Sequence, residues 1–133
     1  MIKEINISSS KKCELIDITE DVKEIVEQSE VKEGMCHVYV PHATCGVVIN
    51  ENNDPNICED FADALNRLIP EGIWRHDKID NNAAAHIKSS IVGPSESIPI
   101  IAGKLALGMW QNIMVSDFDG PRSSRRVIIS ITD

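Results

Sequence analysis

The pattern of apolar and polar positions divides the chain into short elements. Residues 2–8, IKEINIS, alternate in character, with Ile2, Ile5 and Ile7 roughly in step, and predict a strand. Residues 13–19, CELIDIT, predict its partner, with SSSKK between them as a hairpin loop. Thr19 is placed to cap a helix through EDVKEIVEQS, where Val22, Ile25 and Val26 have helical spacing. In MCHVYVPH, period two puts Cys36, Val38, Val40 and His42 on one face and His37 and Tyr39 on the other. Pro41 ends that strand or confines it to an edge. GVVINE, residues 46–51, predicts another strand.

Asp54 followed by Pro55 marks a helix start, because aspartate caps and proline suits the first turn. The helix PNICEDFADALNRLI carries Ile57, Phe61, Ala64, Leu65 and Leu68 along one stripe, and Pro70 stops it. Residues 70–95 are less regular, with a short helix in NNAAAHIKSSIVGPS that ends before Gly93-Pro94. SIPIIA and KLALG flank Gly103 as a hairpin, and WQNIMVSDFD and RRVIISITD predict two more strands joined by GPRSS. About eight strands and two or three helices, in runs of hairpin-linked strands, predict an α+β fold with a mainly antiparallel β-sandwich. No repeat or linker interrupts residues 1–133, so one domain is expected.

Composition narrows the function. The formal net charge of −8 argues against nucleic acid as the main partner, because phosphate binding needs clustered Lys and Arg. No apolar run approaches the roughly 20 residues that span a bilayer, and the opening MIKEINISSSKKCELIDI lacks the layout of a secretory signal. A cytoplasmic location with no membrane partner is the expectation. Cys13, Cys36, Cys45 and Cys58 form no CxxC pair and match no zinc motif, so they are expected as reduced, mostly buried small hydrophobes.

Candidate chemistry gathers at element ends. His42, His76 and His86 each sit beside polar residues, in PHAT, WRHDKIDNN and NNAAAHIKSS, and three imidazoles brought together would suit Zn²⁺ or a similar divalent metal. Each also fits a satisfied structural role. Glu51 ends the otherwise apolar face of Val47 and Ile49, as a rim carboxylate or a site acid with an altered pKa. Asp117 and Asp119 share a face in SDFDGPR, suited to Mg²⁺, to proton transfer, or simply to a turn. Arg122, Arg125 and Arg126 are the one basic cluster. With the tight loops GPS (93–95) and DGPR (119–122), they can cradle a phosphate or pair with surface acids.

Four blocks, PHATCGVVINENNDP, NNAAAHIKSSIVGPS, IPIIAGKLALGMWQNI and DFDGPRSSRRVIISI, together resemble the YjbQ-like family over nearly the whole chain. The resemblance implies a compact α+β sandwich assembled as a homotrimer. It also implies the activity for which members are often named: secondary thiamine-phosphate synthase, joining a pyrimidine diphosphate to a thiazole phosphate with Mg²⁺ at the leaving group. The alternatives are a metal-dependent hydrolase of a small phosphate or ester, and a non-catalytic binder of a phosphorylated metabolite. The family pattern falls on His42, Thr44, Asn50, Glu51 and Asp54, on His76, Asn82 and His86, on Gln111, and on Asp119 to Arg122. Its departures are Cys45, where relatives usually carry a small residue, and Asp117, where Glu is more usual. The expectation is therefore a rim where His42, His76 and His86 converge on a Zn or Mg ion or act directly. Glu51 and Asp119 would do acid–base work with His42. Ser95, Arg122 and Arg125 would contact phosphate, and Thr44, Asn50, Asn82 and Gln111 the substrate.

Overall fold

The computed structural model describes residues 1–133. In chain order the elements are β1 (Ile2–Ser9), β2 (Glu14–Asp17), α1 (Thr19–Ser29), β3 (Glu33–Tyr39), β4 (Cys45–Asn50), α2 (Pro55–Leu68), a 3₁₀ turn (Arg75–Lys78), α3 (Ala83–Val92), β5 (Ser95–Ile101), β6 (Lys104–Leu105), β7 (Asn112–Asp117) and β8 (Arg122–Thr132). The strands form two curled antiparallel sheets, ordered β1-β8-β3-β5-β6 and β2-β7-β4. No helix is long and apolar enough to cross a membrane.

Period two decides what the sheets bury. Cys36, Val38 and Val40 alternate inward at β3, as do Ile98 and Ile100 on β5 and Val127, Ile129 and Ile131 on β8. They meet Val47, Ile113 and Val115 of the smaller sheet, and α1 closes the core with Val22, Ile25 and Val26. Burying each such side chain contributes about 1.5–3 kcal/mol. Asp54 caps α2 as expected, its side chain accepting from the Asn56 amide with Pro55 in the first turn.

Three expectations are corrected. β1 and β2 are not a hairpin: β1 pairs with β8, and β2 pairs with β7 in the other sheet. The polar link between them is a crossing, because alternation fixes which face of a strand is buried and not which neighbour it takes. Thr19 does not cap α1; it lies inside the helix, donates to Asp17 Oδ1 at 2.6 Å and accepts the Ile113 amide at 2.9 Å. Helix α2 covers the sheet less completely than its stripe predicts: Leu68 is 75% exposed and no residue of α2 is fully buried.

Two glycines set the site. A Cβ at Gly46 would stand 2.6 Å from Val92 Cγ1 and 3.0 Å from the Gly93 carbonyl, so its absence lets the end of α3 lie on β4. A Cβ at Gly120 would meet Lys11 O at 2.1 Å and Ser9 Oγ at 2.6 Å. This close approach brings the β1–β2 crossing against the β7–β8 crossing, where the candidate chemistry lies.

Candidate functional site

The rim forms where β3 ends, β4 begins, β7 crosses to β8 and α3 starts. Pro41 stops β3, whose last ladder partner on β8 is Ile128. One step past that end, the Arg126 amide donates instead to His42 Nε2 at 2.9 Å. Burial and the Arg125 charge lower the His42 pKa, so the ring is neutral at pH 7. A neutral ring whose Nε2 accepts holds its proton on Nδ1. His42 therefore presents a fixed N–H donor, and its one lone pair is already taken.

Beneath it lies a buried ion pair. Asp117 is fully buried and Arg125 is 6% exposed. Arg125 donates to the Asp117 carboxylate from Nη2 at 2.8 Å and Nε at 3.2 Å, and from Nη2 to Thr44 Oγ1 at 2.9 Å. Ser9 Oγ (2.6 Å), the Asp119 amide (3.0 Å) and Cys45 Sγ (3.8 Å) complete the shell. Burial pushes the Asp117 carboxyl up, but the Arg125 and Ser9 hydrogen bonds outweigh it and hold it below the usual range. Asp117, Thr44 and Arg125 thus form a clamp between the sheets, which engages the Nε and Nη2 of the Arg125 fork.

Asp119 sits at the surface of this clamp. Lys12 Nζ (2.7 Å), Arg122 Nη2 (3.0 Å) and Asn82 Nδ2 (3.0 Å) all donate to it. Burial raises its pKa, and the Asn82 and Lys12 bonds override that, leaving it at about 2. A carboxylate this stabilised is a poor base near neutrality. One negative charge among two cations leaves the group net positive by one, and Arg122 and Lys12 remain about half-exposed.

Asn82 immediately precedes α3, and His86 lies one turn further on, with its amide bonded to the Asn82 carbonyl. Asn82 thereby ties the Asp119 group to the helix that carries His86, and His86 lines a pocket of about 500 Å³ with Tyr39, His42, Ser89, Ser90 and Pro94, among others. Ser90 Oγ donates to the His86 carbonyl at 2.9 Å and Ser89 Oγ to the Cys45 carbonyl, so both hydroxyls keep lone pairs for a ligand donor. His76 stands edge-on to His86, ring centroids 4.9 Å apart. His76 Nε2 is buried without a hydrogen bond, the nearest carboxylate oxygen of Asp80 being 3.6 Å away, and Asn82 Oδ1 is likewise unpartnered.

A metal fits these residues only in part. The unpartnered His76 Nε2 suits a ligand role, and His86 is beside it. His42 does not join them, since its accepting nitrogen is held by β8. No three His, Cys, Asp or Glu side chains of the chain group as a metal site. The remaining predicted residues are elsewhere. Glu51 and Asn50 lie at the opposite end of β4 from Cys45, about 17 Å along the strand at roughly 3.3 Å per residue. There Glu51 lines a cavity of about 170 Å³ with Met109 and Trp110. Asn50 Oδ1 accepts the Glu51 amide and Gln111 Oε1 accepts the Gly108 amide, so both serve local turns. Ser95 is exposed at the start of β5, opposite Tyr39 and next to the histidine pocket.

Comparison with known proteins places the fold. The family model described as "UPF0047 protein YjbQ-like" matches residues 3–133. The chain belongs to the YjbQ-like UPF0047 family. A UPF0047 protein of Methanocaldococcus jannaschii is 44% identical over 122 residues, covering 92% of this chain and 88% of its own. YugU of Bacillus subtilis is 38% identical over 126 residues, 92% of this chain and 93% of its own. The crystal structure of a YbjQ-like protein of unknown function from Sulfolobus solfataricus superposes with a TM-score of 0.96 at 37% identity, covering 98% and 95% of the two chains. The family match extends over the rim residues, and it assigns them no activity.

Two contributors had no signal in the sequence. Lys12 and Ser9 lie in the polar stretch expected as a hairpin loop, yet Lys12 neutralises Asp119 and Ser9 Oγ bonds Asp117 while accepting the Arg122 amide at 2.9 Å. Nothing in a run of Ser and Lys marks it as the floor of a site assembled from the far end of the chain.

Proposed function

We propose that the chain is an enzyme acting on a small phosphorylated or ester metabolite in the pocket between His42 and His86. The observation that supports this is a pocket holding two imidazoles, on α3 and at the end of β3, with Asn82 at the start of the same helix bonded to the net-positive Lys12–Asp119–Arg122 group. Arg122 and Lys12 would hold the anionic group, the Nδ1–H of His42 would donate to an oxygen that gains charge, and His86 would move the proton. Hydrolysis or simple transfer fits better than thiamine-phosphate synthesis. That synthesis needs carboxylates free for Mg²⁺, whereas Asp117 and Asp119 are both saturated by cations and hydrogen bonds. We also propose that copies assemble, with the exposed Met109 and Trp110 beside Glu51 as the covered surface. Light scattering after gel filtration tests this, and a monomer at micromolar concentration would refute it.

The test of activity runs parallel assays on tag-free protein. One offers a panel of phosphomonoesters and carboxylic esters, with and without added Zn²⁺ or Mg²⁺. The other offers the pyrimidine diphosphate and thiazole phosphate with Mg²⁺. Turnover in the first, reduced at least a hundredfold in His86→Ala with the fold intact, supports hydrolysis. Turnover only in the second restores the synthase reading. Saturable ligand binding without turnover in either assigns a binding protein.

A further inference from the structure

A second cavity lies on the opposite side of α3. Lys88 is 1% exposed and heads the fully buried side chains by size. Its single hydrogen bond within the chain is to the Asn66 side-chain oxygen, and it has no carboxylate partner. The other two fully charged buried groups, Asp117 and Arg125, neutralise each other. Taking an ammonium out of water without a counter-ion is unfavourable, so a buried lysine with one neutral acceptor and two open donors stands apart from the paired buried charges of Asp117 and Arg125. Lys88 is two residues beyond His86, about 200° round the helix, and so faces away from the histidine pocket.

The space it faces is a cavity of about 220 Å³ between α2 and the β2–β7 edge. Leu15, Phe61, Leu65 and Phe118 make its walls apolar. Helix α2 is the wall that buries none of its residues fully, so the apolar stripe of that helix is left half-covered where the cavity runs. Glu14 and Glu59 also line it, which disfavours a dianion, and Lys11 is the one other cation lining it. At about 30 Å³ per water-sized volume, the cavity holds about seven such units.

We propose that this cavity binds a small monocarboxylate with a short apolar tail. The carboxylate takes the two open donors of Lys88 and supplies its missing charge. The tail lies against Phe61, Leu65 and Phe118 and completes the burial of α2. One buried cation and apolar walls match one negative charge on an aliphatic stem, whereas a phosphate dianion would carry a second charge against the same Glu14 and Glu59.

The test is calorimetric titration of the whole chain with acetate, butyrate, hexanoate, octanoate, neutral hexanamide and inorganic phosphate. Affinity should rise by about fourfold per added CH₂ up to hexanoate and fall at octanoate. Hexanamide and phosphate should bind at least tenfold more weakly than hexanoate. Lys88→Met preserves the stem, removes the lone charge and should lose at least tenfold in hexanoate affinity. Ala62→Phe fills the cavity with Lys88 intact and should lose it as well. Equal hexanoate binding by wild type and Lys88→Met, or no hexanoate binding by wild type, overturns the proposal. Phosphate binding tighter than hexanoate and lost in Lys88→Met overturns the carboxylate assignment and makes the site a phosphate site.

Discussion

Replacing Arg125 with Met tests the clamp beneath the rim. The methionine keeps the aliphatic stem but removes both bonds to a carboxylate that is fully buried, and it leaves Thr44 Oγ1 without its donor. Breaking a buried pair from one side costs about 3–5 kcal/mol, against a total stability of about 5–15 kcal/mol for a typical domain. The double variant Arg125→Met, Asp117→Leu removes both charges and should recover most of that loss, since apolar replacement of a whole buried pair is often neutral. Urea unfolding followed by circular dichroism measures each variant. The pH dependence has a definite sign. In the wild type the Asp117 carboxyl is held low, so its contribution is present above the unfolded value of 3.8 and fades as pH falls through the folded value. In Arg125→Met the Ser9 and Asp119 amide bonds remain but the guanidinium no longer opposes burial, so that carboxyl rises from its wild-type position. The gap between wild type and variant should therefore narrow below about pH 4. A single-variant loss under about 1 kcal/mol, or a double variant as unstable as the sum of the singles, would refute the clamp.

Asp119, with its carboxyl held at about 2 against 3.8 unfolded, contributes on the order of 2.5 kcal/mol above about pH 4 and loses it between about pH 4 and pH 2; Asp119→Asn should flatten that part of the stability–pH curve. Burial pushes the Cys36 thiol up to about 11 and, with the Asp117 charge, the Cys45 thiol up to about 12, so a native-state thiol titration at pH 8 should label Cys13 and Cys58 well before these two. Peptide mapping that finds Cys45 among the fast thiols would contradict its buried setting. Gly46→Ala should cost about 1–3 kcal/mol by pushing Val92 and the end of α3 off β4, read as a lowered urea midpoint with unchanged slope.

Local rules read much of this fold from the sequence. Period-two runs such as Cys36–Val38–Val40 named both the strand and its buried face, and Asp54-Pro55 placed the start of α2, because each depends on neighbours within a few residues. Strand partnership did not follow. SSSKK has hairpin composition, and it is a crossing because β1 pairs with β8 and β2 with β7, partners about a hundred residues later. The side chains named as candidates divide in the same way. His42 and His86 line one pocket, and Asn82, Asp119 and Arg122 form one hydrogen-bonded group at the start of α3. Arg125 was named for its charge, and the sequence did not show that its Nε and Nη2 are given to Asp117 and Thr44. Glu51 was expected beside His42 because both flank β4, yet a strand separates its two ends by its full length.

The proposed chemistry requires His42 and His86 to face one anionic ligand in a single pocket. Long-range ¹H–¹⁵N spectra of the imidazoles, recorded during titration with a small phosphomonoester, test this directly. The unliganded spectrum should show His42 neutral with its proton on Nδ1. The His42 and His86 signals should then shift together to a common saturation point, while His37, bonded to Ser97, stays fixed. His42 and His86 signals that remain unmoved at millimolar ligand, or that move no more than those of His37, would contradict it.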